Sequence, residues 1–531
     1  MPIDNRDLVT AVVALANTEG GVLLLGVEDS GEVTGLHDNH RDLTGLAALI
    51  ANRTNPSLAV RVHPVQLRGM AIAHIQVPKA RQLTATSDGV LLRRRLMANG
   101  KPEAVPFYPH EFTRRQSSLG LLDPSALPLN DLTVDEFNPL ERQRLRELIH
   151  RYGGDSSLLP LADEELDGAL GLSMTVDGVR RPTVAGLLIL GREQSLRLHL
   201  PAHEVAFQVL EGTDVRANEF FRKPLLQTFE EVERLFAPWV TEREFQVGLF
   251  RVPIPNYDRR AFREALVNAL VHRDYARLGA THVRIDDNGL AFSNPGGFVE
   301  GVNLNNLLVT EPRPRNPLLA DIAKRIGLAE RTGRGIDRIY MGMLRYGRPA
   351  PDYSRSDALS VVLHLSNAEG DMDFLELVLN EEKRQSKTMP LDSLIVLSRL
   401  RLERRLTVAD LVPSTQKSEQ DARHTIEQLT ETGLVDAHGS GRGRTYTLSA
   451  SVYRQAGQKA GYVHQVGFDP IQQEQMVLSF IDKHGFIKRA DVMELCRISR
   501  DQAYKLLYRL KKKELIVQVG ELKKAVYERK R

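Results

Sequence analysis

Three residues of the stretch "FREALVNALVHRDY", Phe262 to Tyr275, could do chemistry: Glu264, Asn268 and His272. They recur at every fourth position. On a helix of about 3.6 residues per turn they form one slanted stripe, carrying a carboxylate, an amide and an imidazole. The flanking positions are almost all Ala, Leu and Val, and Arg273 and Asp274 follow at once. Two glycine-bearing segments come later: "NPGG", Asn294 to Gly297, ends a strand, and "TGRGI", Thr332 to Ile336, opens a helix. Glycines let backbone approach a phosphate closely, and a helix N-terminus offers unpaired N–H groups. The three segments together point to a phosphate-bearing ligand. A merely solvated stripe on an amphipathic helix is the competing reading.

A family resemblance sharpens this. The order of helix E-x-x-x-N, strand-end glycines and second glycine box resembles the GHKL ATPase fold shared by gyrase and histidine kinases. More narrowly, "EALVNALVHRDY", "FSNPGGF" and "RPRNPLLADIAKRIGLAERTGRGIDRI" resemble the divergent GHKL branch of bacterial transcriptional regulators that carry a Schlafen-AlbA domain in front. The resemblance spans roughly residues 1–365. It implies ATP and Mg2+ as cofactors. Glu264 would be the general base orienting water at the γ-phosphate, and Asn268 would give its amide oxygen to Mg2+, a hard cation that prefers oxygen. His272 and Arg273 would lie near the phosphates. Asn294 stands where an aspartate usually accepts from the adenine amino group, and an amide oxygen can accept the same bond. Gly296 and Gly297 follow it, although Phe298 replaces the motif's final glycine. Gly333 and Gly335 would form the second phosphate-facing box, preceded by Arg313, Arg315 and Asn316 in a lid-like loop. The sequence holds no G-x-x-x-x-G-K-[ST], so a Walker-type motor is not expected.

The elements that must position these residues are legible as patterns. Residues 1–115 alternate helix and strand signals: "LVTAVVALANTEGG" predicts a helix ending at two glycines, "VLLLGVE" a buried strand, "DSG" a tight turn and "EVTGL" the returning strand. Residues 116–240 read as a linker and α/β scaffold, and 241–370 as the GHKL-like ATP-binding domain. Residues 388–450 and 470–531 each run helix, short helix, longer helix, hairpin, the order of a winged helix-turn-helix. The expected fold class is therefore multidomain α/β and α+β: a Schlafen-AlbA-like α/β domain, a GHKL α/β sandwich and two winged helix-turn-helix modules. In the tail modules Lys417, Gln420 and Arg423, and then Arg500, Gln502, Lys505 and Arg509, would face the major groove of double-stranded DNA. The hairpin residues Arg442, Arg444, Lys523 and Lys524 would lie along phosphate. Dimerisation or packing is the competing role for such modules.

Charge supports the tail reading. The formal net charge is only +3, but from Pro470 to Arg531 there are 15 Lys/Arg against 8 Asp/Glu. The single cysteine, Cys496, excludes an intramolecular disulfide and any multi-Cys metal site. No apolar run approaches the roughly 20 residues needed to span a bilayer. The N-terminus lacks a basic start followed by an apolar block, so a cytoplasmic, nucleoid-associated protein is expected.

"ALANTEGGVLLLGVEDSGEVTGL" and the basic strand "LLRRR" resemble the Schlafen-AlbA core. Nuclease members of the wider family hold a metal with an upstream acidic strand. Here only Glu28 and Asp29 match, so nucleic-acid binding or assembly is expected over cleavage. Taken alone, Asp29-Ser30-Gly31 reads as a hairpin turn, and Arg93, Arg94 and Arg95 as a solvated edge or a phosphate contact. The leading expectation is an ATP-binding, DNA-binding transcriptional regulator that forms a homodimer or higher homo-oligomer. The alternatives are a GHKL ATPase in DNA repair or defence, with or without nuclease activity, and an assembly protein that binds no nucleotide.

Overall fold

The computed structural model describes residues 3–40, 42–97, 100–247, 250–329, 333–449, 452, 470–496, 500–520 and 526–530. Asp4 starts the first helix, Asn5–Ala16, by accepting from the backbone N–H of Arg6 at 2.8 Å and Asp7 at 2.7 Å. That helix buries Leu8, Val12 and Val13 against Ala73, Ile75 and Val77. The latter belong to the middle strand of a three-stranded antiparallel sheet ordered Gly21–Leu25, Met70–Val77, Arg61–Leu67. "VLLLGVE" departs from the expected buried strand: Gly21–Leu25 is an edge strand, and alternation sends Leu25 inward while Val22 and Leu24 stay half exposed. The return strand shrinks to one bridge, Val27 to Val33, about a turn in which Gly31 has φ +82.

The middle of the chain holds a five-stranded sheet ordered Asp214–Phe221, Val205–Glu211, Thr281–Asp286, Gly289–Pro295, Ser360–Ser366. Val205–Glu211 and Thr281–Asp286 pair in parallel, and the other neighbours are antiparallel. Helices Pro139–Tyr152, Val184–Leu190, Leu225–Phe236, Arg259–Val271 and Pro317–Ile326 bury their apolar stripes with it in one core running from Leu132 to Leu365. Phe236 stacks on Phe262 at 3.7 Å, and Phe262 meets Phe292 of the sheet at 5.6 Å. The expected divide between residues 240 and 241 runs through this core. Val205–Glu211, read from sequence as scaffold, is an interior strand whose burial requires a neighbour on each side.

Helices Leu391–Glu403, Val408–Thr415 and Glu419–Glu431 follow, then a hairpin of Val435–His438 and Thr445–Leu448. This unit shares its core. Tyr340 and Leu344 of helix Gly335–Leu344 and Val378 of helix Met372–Gln385 pack among Leu394, Leu411, Ile426 and Tyr446. The last unit joins helices Pro470–His484, Arg489–Cys496 and Arg500–Lys512 to a sheet ordered Phe486–Ile487, Val526–Arg529, Ile516–Val519. Its core includes Val477, Leu506, Leu510 and the buried, free Cys496. Among the described residues no helix is long and apolar enough to cross a membrane.

Candidate nucleotide site

Helix Arg259–Val271 begins where Asp258 accepts from Arg260 N at 2.9 Å and Ala261 N at 2.8 Å. With Phe262 and Leu266 turned into the core, Glu264, Asn268 and His272 line one cavity of about 340 Å³. That is the size of a small-molecule site, roughly 300–1,000 Å³. Phe292, Val361 and Leu363 of the sheet and Ala320 of the following helix make its apolar part, and Asn294 stands at the strand end. Val299, Val302, Leu307 and Leu308 close it from loop 297–314, and Gly333 to Asp337 form the remaining wall.

Glu264 is 3 % exposed, and burial raises its carboxyl above the usual range, with Arg338 at 3.3 Å acting the other way. A Cβ on Gly335 would come within 2.7 Å of Glu264 Oε2, so the glycine lets the first turn of helix Gly335–Leu344 press onto the carboxylate. Burial, then Arg315, pushes His272 down to about 4, which leaves the imidazole neutral near pH 7. Its expected role near phosphate is then that of an uncharged hydrogen-bonding group. The charges come from elsewhere: Arg313, Lys324 and Arg334 line the cavity, as does Asp337, whose carboxyl burial also raises.

Four expected site residues, Arg273, Gly296, Arg315 and Asn316, do not line the cavity. Arg273 is wholly buried and donates to the backbone carbonyls of Asp274 at 2.9 Å and Arg277 at 3.3 Å, and also to those of Ala202 and Gly279. It is a structural cation: the chain leaves the helix at His272, and the Arg273 guanidinium is taken up by backbone carbonyls. Arg315 donates to Gly297 O at 2.8 Å and faces Asp274 at 4.0 Å. Asn316 donates to Val271 O at 2.7 Å and Arg273 O at 2.8 Å, satisfying carbonyls that the helix end leaves open. Gly296, at φ +96, packs against Asp274, where a Cβ would lie 2.8 Å from the Asp274 Cβ, while Gly297 reaches the cavity. Gly333 and Gly335 both line it. Sequence reasoning missed Lys324, Arg334, Asp337 and Arg338. Arg334 lay inside the quoted glycine box, and Arg338 one turn beyond it.

The residues fit a magnesium nucleotide. An apolar floor with one amide at its edge suits a base, and a glycine-opened helix with three cations suits phosphates. Among the described residues no three His, Cys, Asp or Glu are grouped to hold a metal. Magnesium commonly takes one or two protein oxygens and completes its shell with phosphate and water, and Asn268 would supply such an oxygen.

Loop 297–314 is held from both sides. Glu300 pairs with Lys79 at 3.5 Å and Arg115 at 2.5 Å. Gln416, between the second and third helices of the next unit, accepts from Leu308 N at 2.7 Å and donates to Leu304 O at 2.8 Å.

The tail residues divide. Lys417 is paired with Asp392, and Arg423 with Glu419 at 2.8 Å, which leaves Gln420 exposed beside them. Arg444 lies over the Tyr446 ring at 5.5 Å. Gln502 and Lys505 are exposed, and Arg509 pairs with Glu474 at 3.7 Å. Lys523 and Lys524 lie outside the described residues, as do the side chains of Arg442 and Arg500. In the N-terminal unit Glu28 and Asp29 sit at the hairpin turn, where Gly31 N donates to Glu28 O at 2.8 Å. Arg93 pairs with Glu111, Arg94 donates to Pro102 O at 3.3 Å, and Arg95 is exposed.

Comparison with known proteins gives two of these units a family. The profile "Schlafen, AlbA_2" matches residues 2–100, and "Putative ATP-dependent DNA helicase recG C-terminal" matches 279–363. The chain carries a Schlafen AlbA_2 domain and a recG-like C-terminal ATPase domain. A domain of unknown function matches residues 113–206. The ATPase match begins after the helix bearing Glu264, Asn268 and His272, so those residues stand on geometry. No curated protein matches the chain. The crystal structure of the DIP2311 protein from Corynebacterium diphtheriae is similar in fold: 23% identity, 100% of this chain and 91% of that chain, TM-score 0.53. The mRNA-binding domain of elongation factor SelB from E. coli, solved with SECIS RNA, covers 26% of this chain and 97% of that chain at 14% identity and TM-score 0.14, too low to carry an argument.

Proposed function

We propose that this chain is an ATP-responsive, nucleic-acid-binding transcriptional regulator. Magnesium nucleotide held in the central cavity would change how the C-terminal units, read as winged helix-turn-helix modules, engage nucleic acid. One observation carries the reading: the cavity wall is shared. Helix Gly335–Leu344 sets its first turn against Glu264 and buries Tyr340 and Leu344 in the core of the next module. A ligand that moves that turn moves a core residue of the module. The bonds of Gln416 to loop 297–314 give a second route. In this reading Asn294 accepts from the base, Arg313, Lys324 and Arg334 hold phosphate, and Asn268 offers oxygen to the metal. Without a Walker motif in the sequence, the role is that of a switch and not a translocating motor.

The test is a titration of labelled nucleic acid with the full chain, with and without ATP and Mg2+, alongside sizing for a homodimer. ATP should shift the wild-type binding curve or the oligomeric state and leave Asn268→Ala unmoved. Superimposable curves and unchanged size with wild type would sink the reading.

A second reading, slow ATP turnover, is favoured by one feature. Glu264 is a buried carboxylate with a raised proton affinity at the cavity wall, the condition of a poised general base. Mg2+-dependent phosphate release that vanishes in Glu264→Gln, with nucleotide binding retained, would establish it.

A further inference from the structure

The helix Arg500–Lys512 sorts its side chains by period. Ala503, Leu506, Leu507 and Leu510 are buried in the core of the last unit. Tyr504 and Tyr508 turn the other way and are 54% and 59% exposed. Their rings lie 6.3 Å apart with planes within 23° of parallel. A tyrosine stabilises a fold mainly by burying its ring, and these two stay in solvent. On the same face Lys505 and Lys512 are exposed and have no carboxylate partner among the described residues, whereas Arg509 and Lys513 are tied to Glu474 at 3.7 and 2.7 Å.

We infer that this face is a stacking platform for the unpaired bases of a single nucleic-acid strand, with Lys505 and Lys512 holding its backbone. This rests on the reading of the C-terminal units as nucleic-acid modules and specifies the form of nucleic acid. In a duplex the faces of the bases are hidden within the stack, and the major groove shows only their edges, which Arg, Lys, Asn and Gln read. Two nearly parallel aromatic faces beside cations offer what an unstacked base and its phosphate take up. The basic excess of residues 470–531, 15 Lys/Arg against 8 Asp/Glu, supplies the complementary charge.

The experiment uses the full chain and fluorescence anisotropy with three labelled probes of one sequence: single-stranded DNA, single-stranded RNA and the DNA duplex. At least one single strand should bind roughly tenfold or more tighter than the duplex. Tyr504→Ala/Tyr508→Ala should weaken that strand by roughly 25-fold or more, about fivefold per lost stack, and leave duplex binding unchanged. Tyr504→Phe/Tyr508→Phe should keep wild-type affinity, since the ring and not the hydroxyl does the stacking. Lys505→Ala/Lys512→Ala should flatten the salt dependence. Circular dichroism checks that each variant folds. Duplex binding as tight as single-strand binding, or an alanine variant within about twofold of wild type, overturns the platform and leaves the broader nucleic-acid reading standing. Binding to none of the three probes overturns both and assigns the tyrosine face to a protein partner.

Discussion

At the scale of single residues, the stretch "HRDY" shows how neighbours in sequence part company in the fold. His272 faces the cavity, and Arg273 faces four backbone carbonyls. Their roles are separable by mutation. Arg273→Ala strips buried carbonyls of their donor, each worth roughly 1–3 kcal/mol when left unsatisfied, so chemical denaturation should report a loss of roughly 3 kcal/mol or more. Nucleotide affinity of the protein that remains folded should stay near wild type, and a selective loss of affinity would return Arg273 to the phosphates. Asn268→Ala should do the reverse: stability within about 1 kcal/mol of wild type, and Mg2+-dependent nucleotide binding weakened at least about tenfold by calorimetry. The stripe of Glu264, Asn268 and His272 was legible because helical periodicity fixes which side chains share a face. Arg315 and Asn316 were misjudged because a loop has no period, and nothing in "RPRNP" tells whether a side chain meets ligand or backbone.

At the scale of elements, the strands and helices around the pocket followed their patterns, but membership did not. Val205–Glu211 reads as a strand in sequence. Its parallel pairing with Thr281–Asp286 crosses a sequence gap that periodicity cannot bridge. In the first C-terminal unit the pairing of charges was equally hidden: Lys417 and Arg423 pair with Asp392 and Glu419, and helix Glu419–Glu431 carries Glu419, Asp421, Glu427 and Glu431. Beside that helix, Gln416 bonds to loop 297–314. The unit therefore also holds the loop that closes the pocket. Gln416→Ala removes two hydrogen bonds at about 1 kcal/mol each, and hydrogen exchange at residues 304–308 should quicken roughly tenfold or more. Unchanged exchange there would show that packing of Leu308, and not the amide, holds the loop.

At the scale of the whole molecule, the central unit and the first C-terminal unit should respond together to pH and to ligand. Burial pushes His203 down to about 4 from 6.5, so it stays neutral in the fold while the unfolded chain takes up a proton. The stability it contributes is complete above pH 6.5 and is lost as pH falls toward 4. By pH 5 its share of the loss should be about 2 kcal/mol, with His272 adding a similar amount, and in urea denaturation His203→Gln should remove about half of the fall. Ligand acts on the same cooperative body. Nucleotide at about one hundred times its dissociation constant stabilises the folded state by ~2.7 kcal/mol. Because Ile339 and Met343 lie in the core of the sheet while Tyr340 and Leu344 lie in the core of the module, helix Gly335–Leu344 cannot unfold without opening both. Nucleotide should therefore slow hydrogen exchange across residues 394–448, none of which lines the cavity, as well as around Glu264 and Asn268. The effect should disappear in Asn268→Ala. Slowing confined to the cavity wall would mean that the two cores open independently, and the shared helix would then be a hinge and not a strut.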